Sequence, residues 1–239
     1  MKNPKFVKAI KNTFPGVYDI TEPDVLGINS NILIAHTPKK KIVCKFDEES
    51  VCRHDRYVSE KLRKNDICVP NIKIANYDGL FFTTYEYNPN KTLAEWIKLG
   101  LPRDLIFSLY CDAMDVVYKI SNVNIPVQKM SRDMFNSHQD FIANKIFDMP
   151  MKLYHNDLHA GNILLGPRWE FVGLLDMASV SMTTLNTFLA SVAVKYPCYC
   201  SETDFWGLVK HWEKISGQRI DRERFKSICN MIHPRKCSR

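Results

Sequence analysis

A chain of 239 residues, 45% of them hydrophobic, can bury a sizeable core in one large domain or two modest lobes, which excludes disorder as a description of the whole. Its formal charge of +7 matches an anionic partner, whether nucleotide phosphate, nucleic acid or an anionic membrane surface, without choosing among them. The basic start, Met1 to Lys11, lacks the continuous apolar region of a signal peptide, and no run approaches the roughly 18 apolar residues of a membrane span, so a cytoplasmic location is expected.

The eight cysteines, at positions 44, 52, 68, 111, 198, 200, 229 and 237, form no CxxC pair, and a chain of this length does not need disulfide staples. They are expected to be mostly buried, reduced thiols. Cys229, His233 and Cys237 supply too few ligands for a structural zinc site, which normally recruits four at tighter spacing.

There is no internal repeat, and the texture changes near residue 88. Before it, Ile32–Ala35 and Ile42–Phe46 are short β-type runs around Thr37-Pro38-Lys39-Lys40, which predicts a hairpin with Lys39, Lys40 and Lys41 in a solvated turn. Val51, Asp55, Val58 and Leu62 then fall on one helical face, and Phe81–Tyr87 reads as another strand. After Asn88-Pro89, Thr92-Leu-Ala-Glu95 is a capping-box pattern, followed by a helix with Ile106, Leu109, Ala113, Val116, Val117 and Ile120 on its apolar face. A second hairpin is predicted from Ile163–Leu165 and Phe171–Leu175 across Gly166-Pro167, and 183–233 reads as helical. Sheet first and helices later imply an α+β fold of two lobes, residues 1–87 and 88–239.

The chemistry is concentrated in His155-Asn156-Asp157-Leu158-His159-Ala160-Gly161-Asn162 and in Asp176, which ends the apolar run after the second hairpin. Phosphoryl transfer needs one carboxylate to orient or deprotonate the attacking hydroxyl, and an amide and a second carboxylate to hold the magnesium that bridges the nucleotide phosphates. Asp157 lies five residues before Asn162 on one irregular loop, so both can face a common cleft to which Asp176 returns. That assigns Asp157 as base and Asn162 and Asp176 as metal ligands. Each residue alone would be read as a turn or cap group, but their combination with Gly161, the hairpin and Leu174-Leu175 is much more specific.

His-Asn-Asp-Leu-His-Ala-Gly-Asn-Ile-Leu-Leu resembles the catalytic loop of the aminoglycoside phosphotransferase and choline kinase superfamily, commonly HGDLHPGNIL, more than that of protein kinases, which carry Arg before the Asp. The resemblance implies a two-lobed protein-kinase-like fold, with an N-terminal antiparallel sheet bearing one helix and a mainly helical C-terminal lobe. It also implies ATP and Mg2+ as cofactors and a small-molecule or saccharide acceptor. Upstream, Gly27-Ile28-Asn29-Ser30-Asn31 looks like the family's nucleotide-covering loop and Val43-Cys44-Lys45 like its phosphate-binding lysine strand. The family pairs that lysine with a Glu of the following helix. Here Asp55 shares the buried face with Val58 and Leu62, whereas Glu60 points about 160–200° away, so Asp55 is the expected partner and Glu60 the runner-up. Thr83–Tyr87 with Asn88-Pro89 resembles the interlobe hinge, whose backbone at Glu86 and Tyr87 would meet the adenine edge. His155 is expected to support the loop, and the role of His159 is left open.

The chain departs from the family pattern after Asp176, where Met177-Ala178-Ser179 and Asn186-Thr-Phe-Leu-Ala190 replace a second acidic residue and an Asp-Leu-Ala. Trp206, Leu208, Val209, Trp212 and Ile215 recur at helical spacing where relatives bind their acceptor, and read as core. No acidic cluster offers itself to a cationic acceptor. The chain's length resembles the compact bacterial kinases of lipopolysaccharide-core sugars, whose anionic, membrane-associated acceptor suits a basic surface with peripheral membrane contact. The alternatives are a kinase-fold nucleotide-binding or regulatory protein without turnover, and a protein kinase, for which no Asp-Phe-Gly or Ala-Pro-Glu is present. The basic residues are dispersed without a nucleic-acid-reading motif.

Overall fold

The computed structural model describes residues 2–23, 31–125, 151–195, 202–223 and 225–227. The chain divides into two units, Met1–Asn90 with Leu174–Ala178, and Lys91–Gly173 with Ser179–Arg239.

The first unit contains α1 (Pro4–Thr13), β1 (Asp19–Thr21), β2 (Ile32–His36), β3 (Lys41–Phe46), α2 (Glu49–Arg63), β4 (Lys73–Tyr77) and β5 (Leu80–Glu86). Its antiparallel sheet has the order β1-β2-β3-β5-β4. Alternation along β3 sends Cys44 and Phe46 to one face and Val43 and Lys45 to the other. On the first face, Ala9 and Ile10 of α1 join Leu33, Ala35, Cys44, Phe46 and Phe82, and the Phe6 ring stacks on Phe46 at 4.0 Å. On the opposite face lies α2, where the predicted stripe is realised as Cys52, Asp55, Val58, Ser59 and Leu62.

The predicted hairpin is β2–β3, with Ile34 opposite Val43. Helix α1 and strands β1 and β4 are not expected from the sequence, although α1 and β4 have local causes. The Asn3 side chain accepts from the Lys5 amide and Pro4 opens α1, while Asp78 and Gly79, at φ 53° and 76°, close a two-residue β4–β5 turn. An Asp-Gly pair is the strongest short hairpin signal, and here the alternation around it is too weak to reveal it.

The second unit contains β6 (Lys91–Thr92), α3 (Leu93–Lys98), α4 (Arg103–Ser121), β7 (Met151–His155), β8 (Ile163–Leu165), β9 (Phe171–Leu174), β10 (Val180–Thr184), α5 (Leu185–Lys195) and α6 (Glu202–Ser216). The capping box is formed: Glu95 N donates to Thr92 Oγ1 at 3.3 Å, and Thr92 N donates to Glu95 Oε2 at 2.6 Å. The expected β8–β9 hairpin joins β6 in a three-stranded sheet. Helix α4 buries Ile106, Leu109, Ala113, Val117 and Ile120, together with Tyr110 and Met114.

The helical reading from 183 is corrected at its start, because β10 pairs antiparallel with β7, Val180 opposite His155 and Thr184 opposite Met151. The β-branched Val180, Thr183 and Thr184 favour a strand. Thr184 then caps α5, accepting from Thr187 N at 3.3 Å. Of the expected stripe of α6, Leu208, Val209 and Trp212 are buried, with Phe205 beside them, while Trp206 and Ile215 are half-buried; Trp212 packs against Tyr118, Tyr154 and Phe188.

Cys44, Cys52, Cys68 and Cys111 are free thiols, of which Cys68 is exposed; Cys198, Cys200, Cys229, His233 and Cys237 lie outside the described residues. Among the described residues no helix is long and apolar enough to cross a membrane.

Candidate active site

In the second unit, β7 delivers the chain to His155 and β8 receives it after Asn162, so the predicted catalytic loop hangs between two strands. Buried Leu158 and Ala160 anchor it from within. His155 is fully buried, and its Nδ1 accepts from the Asp157 amide at 3.3 Å. Asn156 is held on the β10 side, donating from N to Ser179 O at 2.9 Å and from Nδ2 to Ser181 Oγ at 2.6 Å.

His159 Nδ1 accepts from Gly161 N at 3.0 Å, so Nε2 is the nitrogen that carries hydrogen toward Asp157 Oδ2, 3.4 Å away. A Cβ at position 161 would come within 2.7 Å of the His159 ring, which is why glycine stands there. Asn162 Nδ2 donates to Asp157 O at 2.9 Å and to Oδ2 at 3.2 Å.

The remaining carboxylate oxygen, Asp157 Oδ1, accepts from Lys195 Nζ of α5. Burial alone would push the Asp157 carboxyl up, but hydrogen bonds from His159 and Lys195 and the Lys195 charge outweigh it and hold the group well below the usual carboxylate range. The loop therefore presents an ionised, oriented carboxylate, 34% exposed, that can receive a hydroxyl proton.

In the first unit, Lys45 Nζ makes an ion pair with Asp176 Oδ1, in place of the expected pair with Asp55. Burial works against the ammonium, yet Asp176, and beyond it Asp55 and Asp47, raise its pKa. Asp176 has φ 60°, a left-handed conformation that Asp tolerates better than most residues and that costs on the order of 1 kcal/mol or more. Asp55 is buried where the helical spacing places it. Its Oδ2 accepts from Thr83 Oγ1 at 3.4 Å, and the carboxyl also lies against the Ala178 backbone amide. The side chain meets Thr83, and the ion pair of Lys45 is made with Asp176. Glu60 faces solvent and pairs with Lys64 at 2.8 Å.

The other expected nucleotide residues divide. Glu86 is exposed and pairs with Lys40 at 3.1 Å, while the Tyr87 amide donates to Lys41 O at 3.0 Å. The Tyr87 N–H is thereby engaged within the sheet. Asn31 is exposed, and its carbonyl accepts from Phe46 N at 2.9 Å. Gly27 and Ser30 lie outside the described residues.

Burial pushes the Asp55 carboxyl up to about 6, with Lys45 pulling it down and Asp176 pushing it up. A folded pKa above the unfolded value near 3.9 means that the native state binds more protons between the two, so Asp55's contribution is present below about pH 4 and lost as pH rises through about 6. The stability difference between wild type and Asp55→Asn should therefore move against the wild type by on the order of 2–3 kcal/mol from about pH 4 to 7. Urea midpoints at a series of pH values measure it, and a flat difference would refute the raised value.

Sequence reasoning missed Lys195 and Ser191. Their i, i+4 spacing on a predicted helix puts them on one face but does not reveal what lies opposite. Taken singly, the amide oxygen of Asn162 in the second unit and the carboxylate of Asp176 in the first each have the hard-oxygen chemistry that magnesium takes, and the Asn162 amide nitrogen is already directed at Asp157.

No protein-family model matches the sequence, and no curated protein sequence matches it. Solved structures do match its fold. The aminoglycoside phosphotransferase APH(3'')-Id from Streptomyces rimosus superposes with a TM-score of 0.70 at 12% identity, over 96% of this chain and 97% of that one. The choline kinase LicA from Streptococcus pneumoniae gives 0.62 at 14% identity, over 96% and 87%. A thermostable mutant of aminoglycoside phosphotransferase APH(4)-Ia with a further substitution, in a ternary complex with ADP and hygromycin B, gives 0.64 at 15% identity, over 94% and 87%. The chain has the α+β, protein-kinase-like fold of the choline kinases and aminoglycoside phosphotransferases, as its catalytic-loop resemblance implied.

Proposed function

We propose that this protein is a phosphotransferase that moves the γ-phosphate of ATP to a hydroxyl of a small molecule or saccharide. The observation that carries the reading is the Asp157 carboxylate, kept ionised and held by Lys195, His159 and Asn162 on a loop with the superfamily's residue pattern. Support comes also from the fold, whose relatives include a ternary complex with ADP and hygromycin B.

In this mechanism the acceptor O–H donates to Asp157. As the new P–O bond forms and the β–γ bridging P–O bond breaks, the proton passes to the carboxylate and ADP leaves. A carboxylate with so low a pKa does not strip the hydroxyl in advance; it aims the oxygen and takes the proton late. Lys45 binds phosphate oxygens, with Asp55 nearby to keep the lysine charged, and His155 supports the loop. Gly27, Ser30 and Asn31 cover the nucleotide, and the backbone near Glu86 and Tyr87, apart from the Tyr87 N–H, meets the base. Asn162 and Asp176 would hold Mg2+, which when bound supplies neutralisation of phosphate charge.

A second reading, a nucleotide-binding protein without turnover, draws on the Lys45–Asp176 pair, which engages a proposed metal ligand, and on the short Asp55. The deciding experiment incubates the purified chain with γ-labelled ATP or GTP, with and without magnesium, against aminoglycosides, amino alcohols, saccharides and protein. Magnesium-dependent label on a small-molecule hydroxyl is the expected result. Nucleotide-induced thermal stabilisation with no label transferred anywhere favours the second reading, and label on protein alone makes this a protein kinase.

A further inference from the structure

We infer that Lys195 is a positioning residue for this transfer, fixing the Asp157 side chain in the orientation that receives the acceptor hydroxyl. The inference rests on the phosphotransferase reading above.

Its ground is where the contacts to Asp157 originate. His159 and Asn162, which approach Oδ2, belong to the same loop as Asp157, so they fix the carboxylate only relative to a segment that could shift as a whole. Lys195 approaches Oδ1 from a helix outside the loop. One turn earlier on the same helix face, Ser191 Oγ donates to Asn156 O at 2.5 Å, and Lys195 Nζ lies 3.4 Å from that carbonyl. Helix α5 thus holds the loop at two adjacent points, the backbone at 156 and the carboxylate at 157.

The helix is itself tied to the origin of the loop. β10 runs into α5 through the Thr184 cap and pairs with β7, which ends at His155. The lysine and the carboxylate are therefore set against each other by one two-stranded frame, the arrangement a reactive group needs when small displacements of the reacting atoms are costly in rate.

A purely structural tether would behave differently. Solvent screens an ion pair whose side chains are 33% and 34% exposed, so removing Lys195 should cost stability only modestly even though the pair lowers the Asp157 pKa. If the lysine orients Asp157, its loss instead appears in kcat.

The test uses the whole chain as wild type, Lys195→Met, Lys195→Arg and Ser191→Ala, with steady-state kinetics on whichever acceptor the wild type accepts. Lys195→Met is expected to lower kcat by about 10- to 100-fold, with the KM for nucleotide within about twofold and the melting temperature little changed. Lys195→Arg should recover most of the loss, and Ser191→Ala should cost far less. If Lys195→Met melts well below wild type, recovery of Lys195→Ala by added ethylammonium decides, since a small amine can restore the contact but not a collapsed fold. Unchanged kcat in Lys195→Met beside an active wild type, or absence of recovery by both arginine and amine, overturns the inference alone. A wild type inactive toward every acceptor overturns the phosphotransferase reading and this inference with it.

Discussion

Asp157→Asn should lower kcat by roughly 100- to 10,000-fold, the range for removing a positioned proton acceptor. The amide has nearly the shape of the carboxylate but loses its charge, and one of its ends is a donor facing groups that already donate. Lys195 and His159 both point hydrogen at the carboxylate, and Asn162 adds a third donor. An Asn side chain can satisfy at most one side of that arrangement, so it loses both basicity and orientation. Stability should change little, because the ion pair is partly solvated. Single-turnover transfer of labelled phosphate, beside a thermal melt of the same sample, reads both quantities. A fall of less than about fivefold with an intact fold would remove Asp157 from the role of base.

The second large effect is on stability. Trp212→Ala should cost about 3–5 kcal/mol, the range for deleting a large aromatic from a packed core. Trp212 is 1% exposed and its ring meets Tyr118 at 5.8 Å, Tyr154 at 5.9 Å and Phe188 at 5.6 Å, which ties α6 to α4, β7 and α5. Its Nε1 has no hydrogen-bond partner among the described residues, so Trp212→Phe, which removes that buried donor along with some volume, should cost less than alanine. Because Tyr154 immediately precedes His155, the alanine variant should also lose activity at temperatures well below its own midpoint, as β7 loosens under the loop. Urea unfolding of both variants measures the costs, and a loss under about 1 kcal/mol for alanine would place the core of this unit elsewhere.

Local patterns were legible where the deciding contacts lie within a turn or two of chain. The Thr92–Glu95 box forms because its partners are three residues apart, and helical spacing alone turns Asp55 inward and Glu60 outward. The aromatic stripe of α6 is core by the same logic of one apolar face. That Asp157 and Asn162 share one short loop was legible too, but the hydrogen bond between them was not. Elements with weaker periodicity escaped. β4 escaped because the alternation around its Asp-Gly turn is weak, and β10 because its β-branched residues do not announce β7 as their partner.

The sequence by itself determined the α+β class and which helix residues share a face, because helical spacing sets the face, while the resemblance of its catalytic loop named the candidate residues and implied the kinase-like fold. Only the tertiary structure decided the ion pairs. Lys45 meets Asp176 across 131 residues and Lys195 meets Asp157 across 38, and such choices depend on which charged group the packed backbone brings within reach. The helical pattern made Asp55 visible, but which carboxylate meets Lys45 depends on the packed backbone.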